Sequence, residues 1–416
     1  MRHTPISLRL LAKLAATTVS FERHHMNVVA QFVILFCATA CLCGCAIVVR
    51  AQIGTRSIFM AGLNPPSVEN GQGRETCDSP FVRDLNLNAI VAKNESDVWV
   101  IGDGEIEGSS QAVIANSLDG GVTWAKRYLL PQSVFYDIKF VTPQLGFVTG
   151  VSRNSRRGIV LRTRDGGANW ERLPVAIDES WVRMMFRDSE NGWIVGADGR
   201  VIQTKNGGSK WTRTSKIRGK GLNSISAPDN QNVWITGKDA QVYQSEDNGK
   251  TWRNAGSEMV ALLDRWKFSK INFSKVEFVG PYHGYIAAEG LIPRRDAENE
   301  KVFDFTGIIL VTDDAGASWT PRVVNTSIGL AHIQFENLNE IWIIPSWGWS
   351  ENKLLHSVDG ARTWNVVSHA EEMDRPYAIY FIDSTRGWVL VSWVIHYSQI
   401  FGTRDGGKTW ERYTKL

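Results

Sequence analysis

Apolar residues in the second part of this chain come in short runs, separated by turns rich in Gly, Asn and Asp. Residues 182–214 show the pattern: Val182–Phe186, Trp193–Val195, Val201–Thr204 and Trp211–Thr214 each read as one short strand. Four strands in a unit of about 40–50 residues, repeated, predict an all-β fold of radially packed sheets. The first part reads differently. Val28–Val49 is 22 residues without a charge, long enough at 1.5 Å per residue to span a bilayer. Residues 50–83 have little apolar periodicity and read as a linker holding Gly54, Gly62, Asn64-Pro65-Pro66, Gly71 and Gly73.

The repeats are bound by two motifs. Ser117–Trp124, Ser245–Trp252 and Thr403–Trp410 fit S/T-x-D-x-G-x-T-W fully. Thr163–Trp170 and Thr312–Trp319 carry Asn169 and Ser318 at the Thr position. Thr204–Trp211 has Asn206 for Asp and Lys210 for Thr, and Ser357–Trp364 has Ala361 for Gly. A second motif, an aromatic followed by aliphatics, recurs at Trp99, Phe147, Trp193, Trp234, Tyr285, Trp342 and Trp388. It follows the preceding box Trp by 23, 23, 23, 33, 23 and 24 residues. Twelve of the 17 tryptophans sit in these two motifs, so the demand for indole is architectural.

The box resembles the bacterial neuraminidase, or Asp-box, repeat. That resemblance implies a seven-bladed β-propeller over residues 84–416, each box closing the hairpin between a blade's third and fourth strands. Asp119, Asp165, Asp247, Asp314, Asp359 and Asp405 are then turn residues. Trp124, Trp170, Trp211, Trp252, Trp319, Trp364 and Trp410 start the outer strands and pack inward. Truncating Trp211 is expected to cost about 3–5 kcal/mol if it is buried. The strings Asn191–Arg200 and Thr204–Trp211 resemble more closely the photosystem II stability/assembly factor family. This implies a non-catalytic, extracytoplasmic propeller that binds a protein while a membrane complex is assembled.

Arg2, Arg9, Lys13 and Arg23 against Glu22 place residues 1–27 in the cytoplasm, with 28–49 as the anchor and the propeller outside. A cleaved signal, or a lipoprotein acylated at Cys45 in Leu42-Cys43-Gly44-Cys45, would give the same compartment. Of the five cysteines only Cys77 lies beyond that run, so no disulfide forms in the soluble part. The net charge of +3 argues against a nucleic-acid partner.

On a propeller the loops joining strands 2–3 and 4–1 open on the face away from the Asp boxes. Two insertions are expected there, one between Trp252 and Tyr285 and one at about Glu289–Phe305. Between Val151 and Gly221 there are 15 Lys/Arg against 7 Asp/Glu. Arg153, Arg156, Arg157, Lys216, Arg218 and Lys220, with Arg294 and Arg295 of the second insertion, form a candidate dock for a membrane-complex protein or acidic peptide. Trp347 and Trp349, with Trp393 in the next blade, are loop indoles suited to a partner or a glycan. A glycan-binding or sialidase-like protein is therefore the alternative. No arginine of Met60–Asn116 stands in the F/Y-R-I-P string a sialidase needs, and the eight histidines show no zinc spacing. No catalytic residue, cofactor or metal is expected.

Overall fold

The computed structural model describes residues 50–53, 56–59, 85–106, 108–175, 181–196, 198–214, 217, 219, 221–295, 301–325, 328–345, 353–368, 373, 375–392 and 398–413. It divides into two units, 1–79 and 80–416. In the first, Arg50–Ile53 and Arg56–Phe59 pair as an antiparallel hairpin, so the expected linker opens with regular structure. Residues 1–49, including the apolar run, lie outside the described set.

The second unit holds seven four-stranded antiparallel sheets whose strands follow one another in sequence order. The blades span 85–131, 133–172, 181–213, 222–254, 270–325, 330–368 and 376–413. In blade three the strands are Trp181–Phe186, Asn191–Gly196, Val201–Lys205 and Trp211–Arg213. First strands of successive blades neighbour one another around the axis, and the first strand of blade seven meets that of blade one. Among the described residues no strand is exchanged at this closure; Glu411–Tyr413 supplies blade seven's own outer strand.

Each blade interface is filled by one apolar cluster, and the two sequence motifs meet there. The second-strand aromatic of one blade lies under the box glycine of the next. A Cβ on Gly167 would stand 2.1 Å from Trp99, one on Gly208 2.6 Å from Phe147, and one on Gly316 2.4 Å from Trp234. Gly249 meets Trp193, Gly407 meets Trp342, and Gly121 of blade one meets Trp388 of blade seven. These glycines have positive φ, which a Cβ would also resist. The box Trp of the next blade joins the same cluster, edge-on at 5.4 Å for Trp234 and Trp319. Trp99, Trp193, Trp234 and Trp342 are at most 2% exposed. Each indole removes roughly 150–250 Å² from water, about 4–6 kcal/mol before the entropy of ordering is set against it. The box tryptophans are less buried than the repeat implied: Trp170 and Trp319 are buried, but Trp211 is half-buried, packed edge-on against Phe186 at 6.0 Å.

The inner strands present a free edge of N–H and C=O groups toward the axis. Every one carries a bulge at the same place: Leu87/Ala89, Phe135/Asp137, Trp181/Arg183, Leu222/Ser224, Phe273/Lys275, Leu330/His332 and Pro376/Ala378. Past the bulge, Ile90, Ile138, Met184, Ile225, Val276, Ile333 and Ile379 point into the interblade cores. Their neighbours face the axis and stitch one blade to the next. The Met184 N–H donates to the Asp137 carboxylate at 2.9 Å, and the Val276 N–H to Ser224 Oγ at 3.1 Å. Gln334 accepts from the Phe381 N–H at 2.6 Å and donates to the Phe381 carbonyl at 2.7 Å. Buried backbone groups left unpaired would each cost about 1–3 kcal/mol, which accounts for polar residues in this row.

Candidate binding face

The loop between the second and third strands of blade two holds Arg153, Arg156 and Arg157, all exposed on the face away from the Asp boxes. It is a fixed turn. The Ser152 N–H donates to the Arg157 carbonyl and the Arg156 N–H to the Ser152 carbonyl, each at 2.9 Å, with Arg156 at φ 55°. The Arg153 guanidinium is paired with the Asp103 carboxylate at the end of blade one's second strand, and Asn88 Nδ2 reaches its other oxygen at 3.3 Å. Asp103 is buried, so its charge requires such a partner. Burial, and then Asp103, push the Tyr136 phenol beside them up from its usual pKa of 10.0. Arg153 therefore braces blades one and two as well as facing solvent. Sequence reasoning missed Asp103, because its partner lies 50 residues away in another blade.

The second insertion of blade five is a long hairpin. Its strands His283–Arg295 and Lys301–Thr312 stay paired out to Arg295 and Lys301 and project on the expected face. Arg294 and Arg295 are exposed near its tip, where Arg294 Nε donates to the Asp304 carboxylate at 2.6 Å. Phe303 is exposed on the opposing strand. Lys216, Arg218, Lys220, Trp347, Trp349 and Trp393 lie outside the described residues. The structure thus places the three blade-two arginines on one turn, with Arg153 alone paired to Asp103, and places Arg294 and Arg295 separately, on blade five.

The first insertion departs from expectation. It forms a short helix, Gly256–Ala261, and a helical turn, Asp264–Trp266. Ala255, Met259 and Leu263, spaced by four, bury one side of it against Trp234 and Trp319. The segment plugs the groove between blades four and five instead of standing free as a binding loop. A cleft of about 530 Å³ beside it opens toward the Asp box of blade five, lined by Asn232, Gln244, Arg253, Glu258, Asp314 and Trp319. Arg253 spans the cleft, donating to Glu258 and to Gln244.

The Asp boxes are turns held by their own hydrogen bonds. Thr251 Oγ1 donates to Asp247 at 2.6 Å and the Thr251 N–H at 2.8 Å, while Ser245 Oγ accepts from the Gly249 N–H at 2.7 Å. These donors, the Thr251 hydroxyl first, hold Asp247 down to a pKa of about 2. Asn206 keeps the backbone bond, from the Lys210 N–H at 2.8 Å, and Ala361 occupies the glycine position at φ 68°. With both oxygens spent on the turn, the box carboxylates are fastenings of the blade. Among the described residues, no group of three or more His, Cys, Asp and Glu is arranged to hold a metal ion, and no helix is long and apolar enough to cross a membrane.

The family model described as photosynthesis system II assembly factor YCF48 matches residues 122–217, from the first Asp box through the blade-two arginines to the end of blade three. No curated protein matches this sequence. A solved structure of YCF48 bound to a D1 peptide aligns with TM-score 0.53 at 17% identity, covering 78% of this chain and 93% of that one. A glycoside hydrolase family 74 enzyme of Niastella koreensis aligns with TM-score 0.54 at 15% identity, over 78% of this chain and 53% of that one. A family 74 xyloglucanase of Xanthomonas campestris aligns with TM-score 0.53 at 11% identity, over 79% and 54%. The present chain spans about half the length of these two enzymes, and at such identities the likeness is one of fold. The protein is a seven-bladed propeller similar, over residues 122–217, to the photosystem II assembly factor family.

Proposed function

We propose that this protein is a non-catalytic propeller that binds a protein partner on the face away from its Asp boxes and acts in assembly or stabilisation of a membrane complex. The observation that carries the reading is the family match over residues 122–217, which includes the blade-two arginine loop. A relative of the same fold has been solved with a peptide bound, which supports a peptide or protein as partner. Exposed arginines on a braced turn suit an acidic segment, because little loop entropy is lost on binding. The N-terminal apolar run supports an extracytoplasmic, membrane-anchored location, where the partner complex would also lie.

The test is capture from detergent-solubilised membranes with the full chain as bait, followed by charge reversal. Arg156→Glu with Arg157→Glu is expected to weaken retention of the partner at least tenfold, and more at low salt than at high salt. Arg153→Glu is a poorer probe, since it also strands Asp103. Retention unchanged by the double reversal removes the arginine loop from the interface. Polysaccharide binding abolished by Trp347→Ala and Trp349→Ala would replace this reading with the glycan one.

A further inference from the structure

One contact recurs around the ring. In each box the residue after the Asp or Asn offers its carbonyl to the preceding blade, and a side chain of that blade donates to it. Trp388 Nε1 donates to the Gly120 carbonyl at 2.8 Å, Lys93 Nζ to Gly166 at 3.0 Å and Arg162 Nη1 to Gly207 at 3.0 Å. Gln203 Nε2 donates to the Asn248 carbonyl at 3.3 Å, and Arg322 Nη1 to that of Gly360. Three of these five donors are cations. The corresponding carbonyls of blades five and seven belong to Ala315 and Gly406, and no side chain among the described residues donates to either. Before Gly406 the place of Arg162 is taken by the His356 ring, stacked on Trp342 at 3.8 Å. Before Ala315 lies the cleft of about 530 Å³.

The interface of blades two and three shows what fills such a groove. Arg162 and Arg164 both donate to Ser209 Oγ, at 3.1 and 3.0 Å, and Glu171 holds Arg162 at 2.7 Å. Blade four carries Gln244 and Glu246 at the two arginine positions and Arg253 at that of Glu171, while Ala317 of blade five replaces Ser209. The long cations are gone, and Arg253 is spent on Gln244 and on Glu258 of the plug helix. Glu246, Glu258 and Asp314 line the cleft against Arg253, a surplus of negative charge beside the Ala315 acceptor. Glu246 is exposed and has no partner among the described residues. Met259 and Leu262 of the insertion supply an apolar wall, which suits the methylene stem of a long basic side chain.

We infer that the cleft between blades four and five binds an arginine side chain presented by a basic segment of a partner protein. The incoming guanidinium takes the place that Arg162 and Arg322 fill from within the chain at other interfaces. Its fork of five donors can serve the Ala315 carbonyl and the Glu246 carboxylate together, which a single ammonium does less well. The site lies beside the Asp boxes, separate from the blade-two arginine loop, and does not rest on the proposed partner role. The insertion after blade four thus walls a groove that the other blades close with their own side chains.

The test uses the full chain in detergent, with carbon-13 at its methionine methyls, at neutral pH and low salt. The methyl of Met259, which lines the cleft, reports binding, and its resonance is assigned by Met259→Leu. The peptide acetyl-Gly-Arg-Gly-amide is expected to shift that resonance saturably. Its counterpart with citrulline, uncharged and of nearly the same shape, is expected to bind about tenfold more weakly or not at all. Glu246→Gln should weaken the arginine peptide roughly tenfold, and more at low salt than at high salt. Gln244→Arg with Arg253→Glu, which copies the Arg162–Glu171 pair into the cleft, should abolish binding. Arg156→Glu with Arg157→Glu, which tests the partner reading, should leave it unchanged, so failure of one reading does not imply failure of the other. No saturable shift of Met259 overturns the inference, as does equal binding of the citrulline peptide. Undiminished binding in folded Glu246→Gln protein overturns it as well.

Discussion

At Gly167 an added methyl would meet the Trp99 ring and would also be held at φ 96°. The left-handed backbone costs an L residue about 1–2 kcal/mol, and overpacking a dense core about 1–3 more. Gly167→Ala is therefore expected to lose about 2–5 kcal/mol in urea unfolding; a loss under about 0.5 kcal/mol would refute the interlock. Blade six supplies the natural converse, with Ala361 already at φ 68° opposite Tyr285. Ala361→Gly should gain up to about 1 kcal/mol by relieving the backbone. The same geometry ranks the indoles. Trp193→Ala should cost about 3–5 kcal/mol, whereas half-buried Trp211 should cost clearly less, which revises the equality that the repeats suggest.

Two kinds of carboxylate separate at the level of elements. In the box hairpins, Asp247 and Asp314 are held down to about 2 by hydroxyl and backbone donors at the end of each turn. A lowered folded pKa gives stability that is present above the unfolded value near 3.8 and lost as pH falls toward 2. Acid unfolding should accordingly steepen between pH 4 and 2, and Asp247→Asn should reduce that slope in melts across the range. The turn between blade six's first two strands shows the opposite sign. Burial, then the neighbouring Glu340 and the Asp383 carboxylate of blade seven, raise Glu336 to about 7. A raised carboxyl pKa means stability present below the usual 4.5 and lost as pH climbs to 7. Glu336→Gln should thus raise the melting temperature at pH 8 and leave it nearly unchanged at pH 4; equal effects at both would show that Glu336 does not titrate in this way.

Blade count, strand order and the turn role of the boxes were all readable because each blade is contiguous and its motifs are local. The inner-strand row was readable in part: Asp137-Ile-Lys-Phe140, Arg183-Met-Met-Phe186, Lys275-Val-Glu-Phe278 and His332-Ile-Gln-Phe335 share one alternation in sequence. What pairs across blades was hidden. Nothing local says that Arg153 braces Asp103, or that Trp99 lies beneath Gly167. The plug at Gly256–Ala261 escaped because a period of four over Ala255, Met259 and Leu263 is brief within a chain otherwise patterned for strands.

For the molecule as a whole, six interfaces join blades adjacent in sequence, but the seventh joins residues 268 apart, through the Trp388 indole N–H donating to the Gly120 carbonyl at 2.8 Å. Drawing a loop of that size closed costs roughly 1.5 kcal/mol more entropy than closing one of about 45 residues. With no strand exchanged, side-chain packing, a few hydrogen bonds such as Leu87 N–H to Ser398 Oγ, and the Arg386–Glu95 ion pair repay that cost at this seam, so it is expected to form after the other contacts and to part before them. Trp388→Ala should therefore speed unfolding while leaving the folding limb of the chevron nearly unchanged. A matched slowing of folding would place the seam in the nucleus instead. The working lifetime of the ring is then set by the opening rate of a single gate between blades seven and one, and a partner that straddled that gate would prolong it without touching the other six.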